Sequence, residues 1–97
     1  MSPDEPWTFL YIIEALDRWA DREKPSQDLR VIVTDWAFNR HTDPYQGMKW
    51  VEGFTNLWFG EVRGTRSHGA TVTCTYWIDE AEHRLRFDNF TTLSLLI

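Results

Sequence analysis

The chain is short of cysteine, of positive charge and of long apolar runs, and each shortage removes a class of protein. Cys74 stands alone, so no intramolecular disulfide can form and a stapled secreted framework is not expected. Ten basic against fifteen acidic side chains give a formal charge of −5, which opposes passive attraction to nucleic acid or an anionic membrane. No apolar run approaches the ~18 residues of a membrane span, and no secretory leader begins the sequence, so a cytoplasmic protein without membrane contact is expected. Neither His41 with Asp43 nor His68 with His83 has metal-ligand spacing, so no metal or other cofactor is expected. Gly64 and Gly69 sit between strand-like segments, not ahead of a helix where a phosphate cradle would need them. Cys74 reads as a small buried hydrophobe, with no local signature of a nucleophile.

What remains is ample for a folded unit. Ninety-seven residues suit one domain, which at this size buries roughly two-thirds of its unfolded surface. Six Trp, six Phe and three Tyr supply large apolar area for a core, a contact surface or both. The charge is uneven: residues 1–43 carry nine acids and five bases, whereas residues 44–77 carry Glu52 and Glu61 against Lys49, Arg63 and Arg66. A local basic surface on an acidic protein is therefore possible.

The organising stretch runs from Leu57 to Phe90, where LWFGEV, TVTCTYWI and RLRF read as three antiparallel strands. Val72, Cys74, Tyr76 and Ile78 fall on one face of the middle strand, and Thr71, Thr73, Thr75 and Trp77 on the other. The apolar face requires cover from upstream. Leu16, Trp19 and Ala20 form one helical stripe between Glu14 and Glu23, with Asp17, Arg18, Asp21 and Arg22 on the wet side. After Pro25, Ser26 is a candidate N-cap for a second helix whose stripe is Leu29, Ile32, Val33, Trp36 and Ala37. The short joint predicts a two-helix hairpin laid on the sheet.

The start admits two readings. Ser2 with Glu5 has the form of a capping box for a helix that would include Phe9, Ile12 and Ile13. Alternatively Trp7–Ile13 is a first strand covered on both faces, with the helix starting near Glu14; the uncharged run favours this. Residues 39–47 form a loop, Met48–Val51 a short strand, and residues 63–70 a loop joining two strands of the meander. The apolar tail ending in Leu95, Leu96 and Ile97 suggests a trimmed end, or a strand pairing within a sheet or with a partner. The expected fold class is α+β: an N-terminal strand and a two-helix hairpin on a four- to five-stranded, mainly antiparallel sheet.

The order of strand, paired helices (Glu14 to Trp19 and Leu29 to Arg40) and meander resembles the RelE/ParE toxin superfamily of bacterial toxin–antitoxin systems. The segment YWIDEAEHRLRF is similar to that family's tail-end strand, turn and charged alternating strand. The resemblance implies a cytoplasmic bacterial protein with an antitoxin or target protein as partner, and in RNA-cleaving members a metal-independent attack on messenger RNA at the ribosome. Those members are usually basic and often end with a catalytic His or Tyr. This chain is acidic and ends LSLLI, so a gyrase-directed type or a relative without catalysis is also implied.

RNA cleavage needs a base, an acid and cations, for which Arg40, His41, Arg63, Arg66 and His68 are the candidates if the 40–47 and 63–70 loops share one end of the sheet. Arg84 and Arg86, sharing a face of the last strand, are expected opposite Thr73 and Thr75, making with Trp77 a surface for an acidic partner or a phosphate backbone. Trp50 and Trp58 fit either the core, the commoner place for such residues, or a stacking surface, and their exposure decides between the two. Three classes follow: a toxin-type protein acting on a macromolecule through Arg63, Arg66 and His68; a non-enzymatic acidic interaction module, immunity- or inhibitor-like; and a small-molecule binder with an aromatic pocket. A homodimer is compatible with the first two.

Overall fold

In the computed structural model, which describes residues 5–94, the elements run β1 (Thr8–Leu10), α1 (Ile12–Glu23), α2 (Gln27–Phe38), a 3-10 turn (Asn39–His41), β2 (Met48–Trp50), β3 (Leu57–Glu61), a second 3-10 turn (Arg66–His68), β4 (Ala70–Asp79) and β5 (Arg84–Ser94). Ser2 of the possible capping box and the tail residues 95–97 lie outside the described residues. The strands form one open sheet in the order β1-β5-β4-β3-β2, with β1 parallel to β5 and every other pair antiparallel. The fold is thus α+β with a five-stranded, mostly antiparallel sheet, as the patterning predicts. Among the described residues no helix is long and apolar enough to cross a membrane.

The first strand is present but shorter than Trp7–Ile13, and it is not covered on both faces. Tyr11 takes a left-handed conformation, φ 63°, which breaks the strand after Leu10 and starts the helix at Ile12. Ile12 then turns into the core while Ile13 faces out. As an edge strand beside Arg84–Arg86, β1 leaves Thr8 exposed and Phe9 and Leu10 half-buried.

One core lies between the helices and the sheet. Val72, Cys74, Tyr76 and Ile78 of β4 are all buried there, as the alternation predicts, and are met by Ile12, Ala15, Leu16 and Trp19 of α1 and Leu29, Val33 and Ala37 of α2. Ala20, Ile32 and Trp36 are only half-buried at its margins. Ser26 caps α2, its hydroxyl oxygen accepting from the Leu29 N–H at 3.2 Å. At the other end of α1, Lys24 adopts a left-handed C-cap whose N–H reaches the Ala20 carbonyl at 2.9 Å.

The wet side of α1 has a second task. Because β1 pairs only with Arg84–Arg86, the outer edge of β5 beyond it would be an open row of backbone groups. Arg18 donates to the Asp88 carbonyl at 2.6 Å, Arg22 to the Phe90 carbonyl at 2.5 Å, and the Glu23 carboxylate accepts from the Thr92 N–H at 3.1 Å. These are alternate residues of β5, the ones that point away from β4. Side chains read as solvated from the helix pattern therefore finish the sheet where β1 stops.

Candidate functional site

Among the described residues two surfaces stand out, an open sheet face and a cleft beside α2. The helices cover one side of the sheet only. On the other side stand Leu57 and Phe59 of β3, Thr71, Thr73, Thr75 and Trp77 of β4, and Arg84, Arg86, Asn89, Thr91 and Leu93 of β5. The four-residue turn 80–83 pairs Arg84 with Asp79 and Arg86 with Trp77. Thr73 and Thr75 instead oppose Thr91 and Asn89, which corrects the pairing expected from sequence. An irregularity between Thr75 and Tyr76 leaves Asp88 without a partner in the ladder, and this keeps both Arg86 and Asn89 on the open face.

Trp77 is the centre of that face. The Arg86 guanidinium lies 5.2 Å from its ring centroid, and the Phe54 ring meets it edge-on at 5.8 Å. A cleft of about 250 Å³ beside it is lined by Leu10, Asn56, Trp77, Asp79, Arg84 and Arg86. The threonines are less available: Thr71 and Thr73 are buried between flanking strands, and the Thr75 hydroxyl donates to Asp88 at 3.0 Å. Large apolar exposure lies instead at Phe54 (48 %), Phe59 (43 %) and Leu93 (54 %). Trp50, which the sequence leaves open between core and surface, is 53 % exposed on edge strand β2, its indole N–H bonded to the Phe54 carbonyl. Trp58 is half-buried against the core, edge-on to Tyr45 at 5.0 Å.

The 63–70 segment is a built turn. The Thr65 hydroxyl, fully buried, donates to the Val62 carbonyl and accepts from the Val72 N–H, both at 3.1 Å, and so ties the end of β3 to the start of β4. Gly69 closes the turn at φ 77°. Arg66 grips Glu61 through two bonds of 2.7 and 3.2 Å, and that hydrogen bonding holds the Glu61 carboxyl below its ordinary range. Arg63 and His68 are exposed.

The 39–47 segment crosses the helix side of the sheet. The Tyr76 phenol donates to the Pro44 carbonyl, and the Tyr45 phenol to Glu80. Arg40 is 8 % exposed; its guanidinium lies 4.3 Å from the Trp36 ring centroid, and one terminal nitrogen donates to the Gln46 carbonyl at 2.7 Å. Desolvating such a cation costs several kcal/mol. The Trp36 face returns about 2 kcal/mol of that at a desolvated site, and the carbonyl bond about 1.5–3. Arg40 and Arg63 line one cleft of about 270 Å³ together with Trp36, Gln46, Gly47 and Glu61.

Of the five candidate catalytic residues, then, Arg40 and Arg63 come together and Arg66 joins them through Glu61. His41 lies elsewhere: its Nδ1 is 2.8 Å from the Phe38 carbonyl, and its own carbonyl accepts from Trp7, beside the start of β1. His68 stands two residues after Arg66 in the turn before β4, at the end of the sheet away from His41, and lines neither of the arginine clefts. A guanidinium offers N–H donors and no acceptor, so the chemistry these three side chains can offer is the binding of anionic or carbonyl oxygens. Among the described residues no group of three or more His, Cys, Asp and Glu is placed to hold a metal ion.

Burial pushes the Tyr76 phenol well above its ordinary value, against the opposing pull of Arg40, and burial with the Glu80 hydrogen bond does the same for Tyr45. A raised folded-state value means stability present below about pH 10 and lost as pH climbs further, because the unfolded chain releases the proton first. Tyr76→Phe should therefore remove a late-ionising phenol from the 295 nm titration and flatten the alkaline fall in stability. It also leaves the Pro44 carbonyl without its donor, at a cost of about 1–3 kcal/mol near neutral pH. An unchanged alkaline titration would show that Tyr76 is not the group responsible. Burial likewise raises the Cys74 thiol, consistent with its place in the core.

No protein family, curated protein or solved structure matches the chain. Function must be read from the two surfaces themselves. Sequence reasoning missed Trp36 and Glu61 as members of the Arg40 cleft; the only available signal was that Trp36 sits four residues before Arg40, one helical turn away.

Proposed function

We propose that this chain is a RelE/ParE-like, toxin-type protein that engages the translation machinery or another macromolecule through the open sheet face and the adjoining 63–70 turn. The observation that carries the reading is the one-sided cover of the sheet. Helices and the 39–47 segment fill the Val72 side, while Phe54, Phe59, Trp77, Arg86 and Leu93 stand on the opposite side. Aromatic and arginine side chains are what dominate binding energy at macromolecular contacts, and exposed apolar patches of this kind mark interaction sites. The order of strand, two helices and antiparallel strands supports the family resemblance.

Inducible expression in a bacterial host tests it. Induction is expected to arrest growth, and Trp77→Ala or Arg86→Ala to restore it, since truncating a central anchor costs about 2–4 kcal/mol of affinity. Equal growth of induced and uninduced cells sinks the toxin reading.

A second reading, a non-enzymatic acidic interaction module of the immunity or inhibitor type, is favoured by the −5 charge and by the engagement of Arg66 with Glu61. It uses the same face but predicts harmless expression and a stoichiometric protein partner on purification from the native host. A lone monomer in every such preparation counts against it.

A further inference from the structure

We infer that the cleft between α2 and the end of β3 is a receptor for a small oxyanion, a phosphate or carboxylate group, held by the guanidiniums of Arg40 and Arg63. Arg40 is more than nine-tenths buried, yet among the described residues no carboxylate comes within ion-pair distance of it. Its Nε–H is buried without an acceptor. Buried charges in proteins are ordinarily paired, and buried donors ordinarily bonded, so this side chain lacks the partner that its burial calls for.

The surroundings specify that partner. The Trp36 ring centroid lies 4.3 Å from the guanidinium carbon, the Gln46 carbonyl takes one terminal N–H and the Tyr76 phenol stands within hydrogen-bonding reach of the group, leaving the Nε–H for another acceptor. A planar fork of N–H donors matches two oxygens of one oxyanion. Arg63, exposed at the rim of the same cleft, adds a second cation. The acid that also lines it, Glu61, is already neutralised by its two bonds to Arg66. At about 270 Å³ the cleft has room for a phosphate or carboxylate group. It lies beside α2 and shares Arg63 with the 63–70 turn, but its test is a titration of the purified protein, so its failure is distinguishable from a failure of the growth assay on Trp77 and Arg86 of the open face.

The test follows the Arg40 Nε–H resonance in ¹H–¹⁵N spectra during titration with inorganic phosphate and, separately, with sodium acetate, ionic strength being held constant with sodium chloride. A saturable shift is expected with one or both anions. Saturation by phosphate alone assigns a phosphoryl ligand, whereas acetate that saturates and competes assigns a carboxylate. Arg63→Ala, a change at an exposed residue, is expected to raise the Kd about tenfold or more, the worth of one charged hydrogen bond. Arg40→Lys, which lacks that resonance and is followed through the Gly47 backbone amide at the cleft, should abolish binding; if that variant does not fold, Arg63→Ala alone decides. No saturable movement with either anion, or the same Kd in Arg63→Ala, overturns the assignment.

Discussion

Trp19→Ala is expected to lower stability by about 3–5 kcal/mol, the cost of deleting a fully buried aromatic side chain. The indole is 1 % exposed, tilted against Phe90 at 6.3 Å between ring centroids, and its N–H donates to the Thr92 hydroxyl at 2.7 Å. It is also the residue through which α1 is seated so that Arg18, Arg22 and Glu23 reach the outer edge of β5. Truncation therefore opens a cavity and loosens the helix that finishes the sheet. Against a total of about 5–15 kcal/mol for a domain, this change alone brings the chain close to unfolding at ordinary temperature. Urea unfolding measures it as a lowered midpoint at an unchanged slope. Trp19→Phe, which keeps most of the ring and loses the hydrogen bond, should fall by about 1–3 kcal/mol. A Trp19→Ala protein within about 1 kcal/mol of the parent would mean that the core does not rest on this residue.

How much of this was legible in the sequence depends on the range of the interaction that decides each feature. Alternation with a period of two marks β4, and every residue assigned to its apolar face is buried, because that signal is carried by neighbours along one strand. The Leu29, Val33 and Ala37 stripe and the Ser26 cap are local in the same sense. Tyr11 is different. Tyrosine has no preference for a left-handed backbone, so nothing in the residue type announces that the strand stops at Leu10. The break follows from the need to turn Ile12 onto the core while β1 stays paired with Arg84–Arg86.

Features set by distant segments are the ones that the local pattern does not carry. Arg84 and Arg86 do share a face, but the turn at 80–83 and the irregularity near Asp88 decide what they oppose, and neither shows in the strand pattern. Arg18 and Arg22 are exposed, as their spacing predicts, and their length also lets them bond the carbonyls of β5. Arg40 sits in a segment of loop composition and is nonetheless buried, since Trp36 from α2 and Gln46 from the following turn close around it. In the candidate site, then, residue types were visible and groupings were not: of Arg40, His41, Arg63, Arg66 and His68, only the arginines converge.

Gly60→Ala is expected to cost about 2–4 kcal/mol, at the upper end for an added methyl in a packed interior, because part of the obstacle is backbone. Gly60 pairs with Met48, and a Cβ there would lie 2.3 Å from the Met48 sulfur and 2.7 Å from the Gly47 carbonyl oxygen. The thioether can swing aside; the carbonyl cannot move without shifting the start of β2. Because Met48 is itself buried, the comparison is a double-mutant cycle: in a Met48→Ala background Gly60→Ala should cost less than in the parent but more than nothing, and a cost of zero there would identify the sulfur as the sole obstacle. Gly47 also lines the Arg40 cleft, and Arg40 is bonded to the neighbouring Gln46 carbonyl. Displacing this backbone should then weaken phosphate binding in Gly60→Ala, even under conditions where the variant remains folded. Unchanged phosphate affinity in the folded variant would separate the two effects, showing that the β2 junction supports the sheet without shaping the cleft.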